Sequence, residues 1–353
     1  MRDVPHQDGS ALFLHLNVGK RGVTLNQSTP TGREILGRLA AGSDIVLWGD
    51  DSERGRAAAA GVQPGRTAAW LLISPYGASG PRAGWNARTL TIFHAGGEGY
   101  VLPGGISWDM YQDRPPIKGA EHLGEYSAGQ SITAAAMIGL MLGDPSTGPV
   151  LIDASIQEAL LQLMRAEYQE YMGEGTIQSR ATRSLGIVGQ LPAEDGWVEM
   201  MPSAQEPWDL LMDWMGNPEW AADYTKVEER RVRAGRAHDE AKQHLGDWTA
   251  QMPKRQLYHE GNARKVPAGA VFTIAEQLDD PQLSARGFFV EIDHPYAGTI
   301  KYPTMAFQFK TTDGEEPQRI PAPLLGQHNV EVLEGELGLP RREVIALYEA
   351  GII

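Results

Sequence analysis

TAAWLLISPYG, residues 67–77, and DIVLWG, residues 44–49, are apolar runs of strand length bounded by glycine and charge. Ahead of them come RGVTLN (21–26), a short β-rich run, and STPTGREILGRLAAGS (28–43), where hydroxyls and a proline lead into an amphipathic helix. Beyond them, GPVLIDASIQEALLQLMRAEYQEYM (148–172) reads as a strand running into a long helix. Strand and helix signals that alternate in this way predict an α/β domain on a largely parallel sheet.

The rest of the chain divides by pattern. GEGTIQSRATRSLGIVGQLPAEDG (173–196) is polar and glycine-rich and reads as a linker. Helical signals dominate from about Trp197, in SAQEPWDLLMDWMGNPEW, KVEERRVRAGRAHDEAKQHLGDWTAQM and FTIAEQLDDPQL. Strand patterns return in FFVEIDHPYAGTIKYP and MAFQFK, and a helix pair closes the chain around EVLEGELGLPRREVIALYEAG. The expected organisation is residues 1–190 as the first part of a large α/β domain, 191–286 as a small, mainly helical domain, and 287–353 as a return to the large one.

Composition narrows the function. A chain of 353 residues can bury a substantial core. Its net charge of −14 argues against a nucleic-acid partner, which demands a positive footprint. The richest basic stretch, VEERRVRAGRAHDEAK, is interleaved with acids and reads as a solvated helix face. With no cysteine, disulfides, thiolate metal sites and a cysteine nucleophile are excluded, and a cytoplasmic setting is expected. The apolar run ALFLHL is too short for a signal sequence or a membrane span, so no membrane anchor is expected.

Familiar motifs are missing. There is no P-loop lysine motif, no HExxH and no GxSxG, and GEGYVLPGG (97–105) lacks the GxGxxG spacing of a dinucleotide site. His94, His122 and His294 flank interesting segments, but none pairs with another at a metal-ligand spacing, so no metal is expected. The tryptophans of PWDLLMDWMGNPEW read as core packing.

One carboxylate stands out. In GAEHLGEYSAGQSITAAAMIGLM (119–141), no charge occurs from Ala128 to Met141, which suits a helix buried inside a domain. Glu125 falls at or just before its first turn, where unpaired N–H groups and the helix dipole favour an anion. It either satisfies the helix end or is a fixed, partly desolvated carboxylate with a chemical role.

At this point the residues carry a likeness. LNVGKRGVTLN with TGREILGRLAAGSDIVL, LLISPYGASGP, VLIDASIQEALLQL, DDPQLSARGFFVEIDHPYAGTIKYP and PAPLLGQHNVEVLEGELGLPRREVIALYEAGII resemble, in order, segments of the class III CoA-transferases (the CaiB/BaiF family). The resemblance runs from about His15 to the last residue. It implies a large Rossmann-like α/β domain split in sequence, a smaller α+β domain, and two chains interlocked as a homodimer, with a second family-related chain as another possible partner. It also implies coenzyme A as co-substrate, with an acyl-CoA and a small carboxylic acid as reactants.

In that family a carboxylate at the head of an Ala/Gly-rich helix attacks the acyl-CoA, passing through an anhydride and then a side-chain CoA thioester. The D-x-x-x-G motif falls on Glu125 and Gly129, with Glu at the usual Asp position. The resemblance further places Lys20 and Arg21 at the adenine end of CoA, and Arg88 and Gly124 are expected at CoA too. GGEGYVLPGG lies just upstream of Glu125, and its glycines let backbone approach a ligand, so Gly97, Gly99 and Tyr100, with Trp108, are expected to wall the acyl pocket; the alternative is an ordinary turn between two elements. Two departures stand out. WGDDSERG puts Asp50 and Asp51 where the family has a CoA-contacting ENFRPG, and negative charge there repels phosphates. The chain also begins only 15 residues before LNVGKRG, so a strand–helix–strand unit is expected to be truncated, supplied by a partner or absent.

Two alternatives remain open. An acyl-CoA racemase shares the fold, but its histidine position falls on Arg88, which cannot serve as a base. Arg88 could instead pair with a CoA phosphate or the substrate carboxylate, or form a structural ion pair. A non-catalytic member that binds acyl-CoA or a partner subunit is the other.

Overall fold

The computed structural model describes residues 10–49, 67–104, 108, 111–144, 148–181, 189–230, 236–308 and 320–353. Asp50 and Asp51 lie outside the described residues. In chain order the main elements are α1 (Ala11–Leu16), α2 (Pro30–Ala41), β1 (Ile45–Trp48), β2 (Ala69–Ser74), α3 (Thr89–Ala95), α4 (Leu123–Leu142), β3 (Val150–Ser155), α5 (Ile156–Leu161) and α6 (Arg165–Glu174). There follow β4 (Gly189–Ala193), β5 (Gly196–Met200), α7 (Gln205–Trp214), α8 (Arg236–Thr249), α9 (Lys254–Ala263), β6 (Ala268–Ala270), β7 (Phe289–His294), β8 (Gly298–Pro303) and α10 (Arg341–Glu349). The chain folds as two compact units, one of Met1–Asn86, Ala128–Ile156 and Ala275–Ile353, the other of Ala87–Ser127 and Gln157–Ile274.

The first unit is built on a parallel sheet of order β1-β2-β3, as the alternating signals predict. Helix α2 starts where its sequence says it should. Thr29 accepts a hydrogen bond from the Gly32 N–H, and Pro30 occupies the first turn, where its missing N–H costs nothing. Its buried Ile35 packs with Leu333, Leu339, Val344 and Leu347 of the C-terminal segment. Across the strands, Trp48 stacks on Trp70 with ring centroids 6.4 Å apart.

Helix α4 lies on this sheet through a stripe of small residues. Ala136, Ile132 and Ala135 meet Ala69, Leu71, Ile73 and Ile152. Gly139 sets the distance, because a Cβ there would stand 2.7 Å from the Ala69 Cβ and 2.8 Å from Ile152. The sequence suggests a helix buried on every side, and the structure differs. Gly124, Ala128, Ala136 and Gly139 are buried, while Met137, Ile138, Leu140, Met141 and Leu142 are exposed, Met141 at 83 %. A helix this apolar has no polar face to mark which side the chain itself covers.

RGVTLN is not a strand. Side chains and backbone of the C-terminal segment hold it instead: the Gly22 N–H donates to His328 Nδ1 (3.0 Å), the Thr24 N–H to Asn329 Oδ1 (2.9 Å), and the Asn26 N–H to the Ile352 carbonyl (2.7 Å). The β7–β8 hairpin forms as FFVEIDHPYAGTIKYP suggests. At its turn, buried His294 accepts the Tyr296 and Ala297 N–H groups on Nδ1, and its Nε2 meets the Ala322 carbonyl at 3.1 Å.

The second unit contains an antiparallel sheet of order β4-β5-β6. Part of the stretch read as a linker, GQLPA, is therefore strand β4, buried through Leu191 and Ala193. With Val198, Met200, Trp208, Leu211, Leu245 and Leu257 these residues make the largest core cluster. Trp208 is fully buried there, as its helical spacing suggests. Among the described residues, no helix is long and apolar enough to cross a membrane.

Candidate active site

The turn that leads into α4 is tight and over-determined. Glu121 sits in the left-handed region at φ 44°, a conformation that side chains rarely adopt outside glycine and asparagine. The Lys118 ammonium donates to its carbonyl, and the Leu123 N–H donates to the Ala120 carbonyl at 3.0 Å. This geometry turns the chain so that the Tyr126 N–H bonds the His122 carbonyl at 3.0 Å as the helix begins.

Glu125 stands in that first turn, its side chain one-third exposed. Two nearby groups act on it. The helix N-terminus favours its negative charge, and His122 Nδ1 lies 3.9 Å from its Oε1. One turn further along the same face is Gly129, where an added Cβ would meet nothing within 4 Å. Among the described residues, nothing packs on the helix at that position.

The floor beneath is packed. Gly124 is buried against Phe93 of α3 and Leu160 of α5, which a Cβ would approach to 3.1 and 3.4 Å. Leu160 also fills the space a side chain at Gly96 would need, at 2.5 Å. Gln157 Nε2 donates to the Ala95 carbonyl at 2.8 Å, tying α5 to the end of α3. Phe93 and Leu160 thus fix Gly124, and with it the neighbouring Glu125, against the rest of the unit.

The glycine-rich segment follows directly on α3. Gly97 takes φ 95°, and Gly99 lies flat against the His94 ring, whose Nδ1 would be 1.9 Å from a Cβ. Tyr100 is 58 % exposed, and the Arg180 guanidinium lies over Trp108, 4.9 Å from the ring centroid. These residues share a unit with Glu125, joined to it through Phe93.

The basic residues named from sequence have varied surroundings. Arg21 pairs with Glu331 at 3.0 Å and with Glu336, and these hydrogen bonds, Glu336 first, raise its guanidinium above its ordinary value. Lys20 Nζ donates to Asn17 Oδ1 at 3.2 Å. Arg88 is the exposed N-cap of α3, and its N–H donates to Thr91 Oγ1 at 2.8 Å. No group of three or more His, Asp or Glu that could hold a metal ion occurs among the described residues. A cavity of about 420 Å³ does exist, but it lies in the first unit between α2 and β1, lined by Leu36, Leu39, Val46 and Trp48.

Sequence reasoning missed two features. His122 has no histidine partner at a metal-ligand spacing and enters from sequence only as a substitute for the racemase histidine, whereas its i,i+3 spacing to Glu125 in EHLGE is the signal that joins the two. Asp153 of β3 accepts the Ala78 N–H on both oxygens, 2.8 and 3.0 Å, and so fixes the loop after β2. The second carried no signal in a single sequence.

The first unit is thus a parallel sheet with a small-residue helix on it, and that helix carries the Glu125 carboxylate in its first turn. The chain belongs to CoA-transferase family III, whose model matches residues 1–329. It is 26 % identical to a formyl-CoA:oxalate CoA-transferase of Streptomyces coelicolor, covering 100 % of this chain and 88 % of that protein. It is 28 % identical to a succinyl-CoA–D-citramalate CoA-transferase of Chloroflexus aurantiacus, over 95 % of this chain and 82 % of the relative. Among solved structures, a CaiB/BaiF family protein from Brucella suis aligns with a TM-score of 0.71 at 22 % identity, covering 97 % of this chain and 86 % of the other. The fold class is therefore that of the CaiB/BaiF proteins, as the sequence segments imply.

Proposed function

We propose that this protein moves CoA between an acyl-CoA and a free carboxylic acid, with Glu125 as the covalent nucleophile. Family membership and the names of its relatives support transfer of this kind. The observation that carries the role of Glu125 is its place in the first turn of α4 with open space over Gly129. A Glu125 oxygen attacks the thioester carbonyl, CoA leaves as thiolate, and an acyl anhydride forms on the side chain. The thiolate then attacks the glutamyl carbonyl, which gives the enzyme thioester and frees the donor acid; the acceptor acid runs these steps in reverse. Backbone N–H groups at the helix start are suited to the oxyanion.

For the CoA phosphates we assign Lys20 and Arg88, both exposed cations. Arg21 joins them only by exchanging Glu331 and Glu336 for a phosphate. Gly124, packed on Phe93 and Leu160, seats the turn that presents Glu125 to CoA, and Gly97, Gly99 and Tyr100 border the acyl group. The acyl donor and acceptor are small acids of the kind the relatives' names describe.

Incubation with acyl-CoA should leave a CoA thioester on Glu125, seen as a mass increase that hydroxylamine removes. Glu125→Gln should abolish it without loss of stability, and Glu125→Asp should cut it sharply, because a shift of roughly 1 Å spoils attack geometry. No adduct in any of the three proteins with any acyl-CoA would remove the transferase reading in favour of a non-catalytic one.

The exposed apolar side of α4 and exposed Leu151 on β3 support an intertwined homodimer with a large apolar interface. Sedimentation at micromolar concentration should give a dimer; a folded monomer there would overturn it.

A further inference from the structure

We infer that the protein is also an acyl-CoA hydrolase when no acceptor acid is present, with His122 as the base that activates water. The inference rests on the reading of Glu125 as nucleophile and extends it to a second outcome for the same intermediate. His122, Glu125 and Gly129 stand at i, i+3 and i+7 and so line one side of the start of α4. His122 Nδ1 lies 3.9 Å from Glu125 Oε1, and about one-third of each side chain is exposed. No described atom lies within 4 Å of the Gly129 Cβ position.

Those distances suit a water-mediated step. An acyl group on Glu125 places its carbonyl carbon one bond beyond the carboxylate oxygen. A water in position to attack that carbon stands about 3 Å from it, within hydrogen-bond reach of an imidazole nitrogen beside the same carboxylate. The turn also fixes the backbone that carries His122. Glu121 is left-handed, its carbonyl is taken by Lys118, and the His122 carbonyl starts the helix.

The step balances without another reactant. Glu125 attacks the acyl-CoA, the C–S bond breaks, and CoA leaves as thiolate. Water gives one proton to neutral His122 as its oxygen bonds to the acyl carbon. The bond from that carbon to the Glu125 oxygen then breaks, releasing the acid and restoring the carboxylate. The imidazolium proton passes to the CoA thiolate, so the sum is acyl-CoA plus water giving acid plus CoA.

The test measures free CoA with a thiol reagent in the full-length protein given acyl-CoA and no acid, alongside the Glu125 adduct by mass spectrometry. The readout is the ratio of CoA released to adduct formed. His122→Ala should lower that ratio at least tenfold, since a positioned base contributes roughly 10²–10⁴-fold. Imidazole in solution should restore part of it, which a purely structural histidine would not allow. His122→Gln, closer in size and polarity but no base, should behave like His122→Ala and guards against a folding defect. An adduct on Glu125 with no CoA release beyond it, or the same ratio in all three proteins, overturns the hydrolase inference and leaves the transferase standing. Absence of any adduct removes both.

Discussion

At the C-terminal end of α4, Gly139 and Gly143 are small because the sheet is against them; at Gly129, one turn past Glu125, no described residue packs on the helix. A Cβ at Gly143 would come within 2.5 Å of the Ala68 carbonyl oxygen, and one at Gly139 within 2.7 Å of the Ala69 Cβ. A Cβ at Gly129 meets no neighbour within 4 Å. In a helix interior, glycine costs about 1 kcal/mol relative to alanine. Close packing offsets that cost at Gly139. Among the described residues nothing packs on Gly129 to offset it.

The strongest way to break this comparison is Gly143→Val. The nearest atoms are backbone, which cannot turn aside as a side chain can, so helix or strand must shift. Overpacking of this kind typically costs 1–3 kcal/mol, and about 3 kcal/mol is expected here, read as a fall in the urea midpoint at unchanged slope. An unchanged midpoint would mean that α4 does not seat on β2 as described.

Gly129→Leu should do the reverse. The helix gains a better former with room for it, so stability should hold or rise by up to about 1 kcal/mol. The same side chain would occupy the space over Glu125, and the yield of Glu125 adduct from acyl-CoA should drop at least tenfold, about 1.4 kcal/mol. Unimpaired adduct formation would show that substrate reaches Glu125 from another side.

The difference between these glycines also marks what the sequence could carry. Residue patterns were enough for α2, whose Thr29–Pro30 start and Ile35 face are written locally, and for β1, β2 and β3, whose apolar runs pair only with one another. The place of Glu125 at the head of α4 was legible too, through the family's motif. Two elements were not, because their partners are distant in sequence. RGVTLN has a strand's composition but is held by His328 and Asn329, some three hundred residues away. GQLPA has a linker's composition but pairs with GWVEM across a two-residue turn. At the site, glycine residues identical in sequence are distinguished only by what stands opposite, so packed Gly139 and open Gly129 could not be told apart. His122 was visible as a residue, and its i,i+3 spacing in the helix's first turn brings its ring to 3.9 Å from the carboxylate.

Gly124→Ala tests the intermediate case, and its expected effect is the smallest. The added Cβ would lie 3.1 Å from the Phe93 ring edge and 3.4 Å from a Leu160 methyl. Neither contact is with backbone, and a displacement of a few tenths of an ångström relieves both. That strain opposes the gain from placing alanine in the first turn, and the two are of similar size, so the stability change should stay within about 0.5 kcal/mol of zero. The chemistry is the more sensitive gauge. Phe93 supports the residue next to Glu125, so a small movement of the turn should slow adduct formation about threefold while leaving the fold intact. A loss of stability beyond about 2 kcal/mol would place Gly124 with Gly139 and Gly143, as a glycine set by rigid packing. No change in either measurement would place it with Gly129, and the floor under Glu125 would then be softer than the contacts of Phe93 and Leu160 imply.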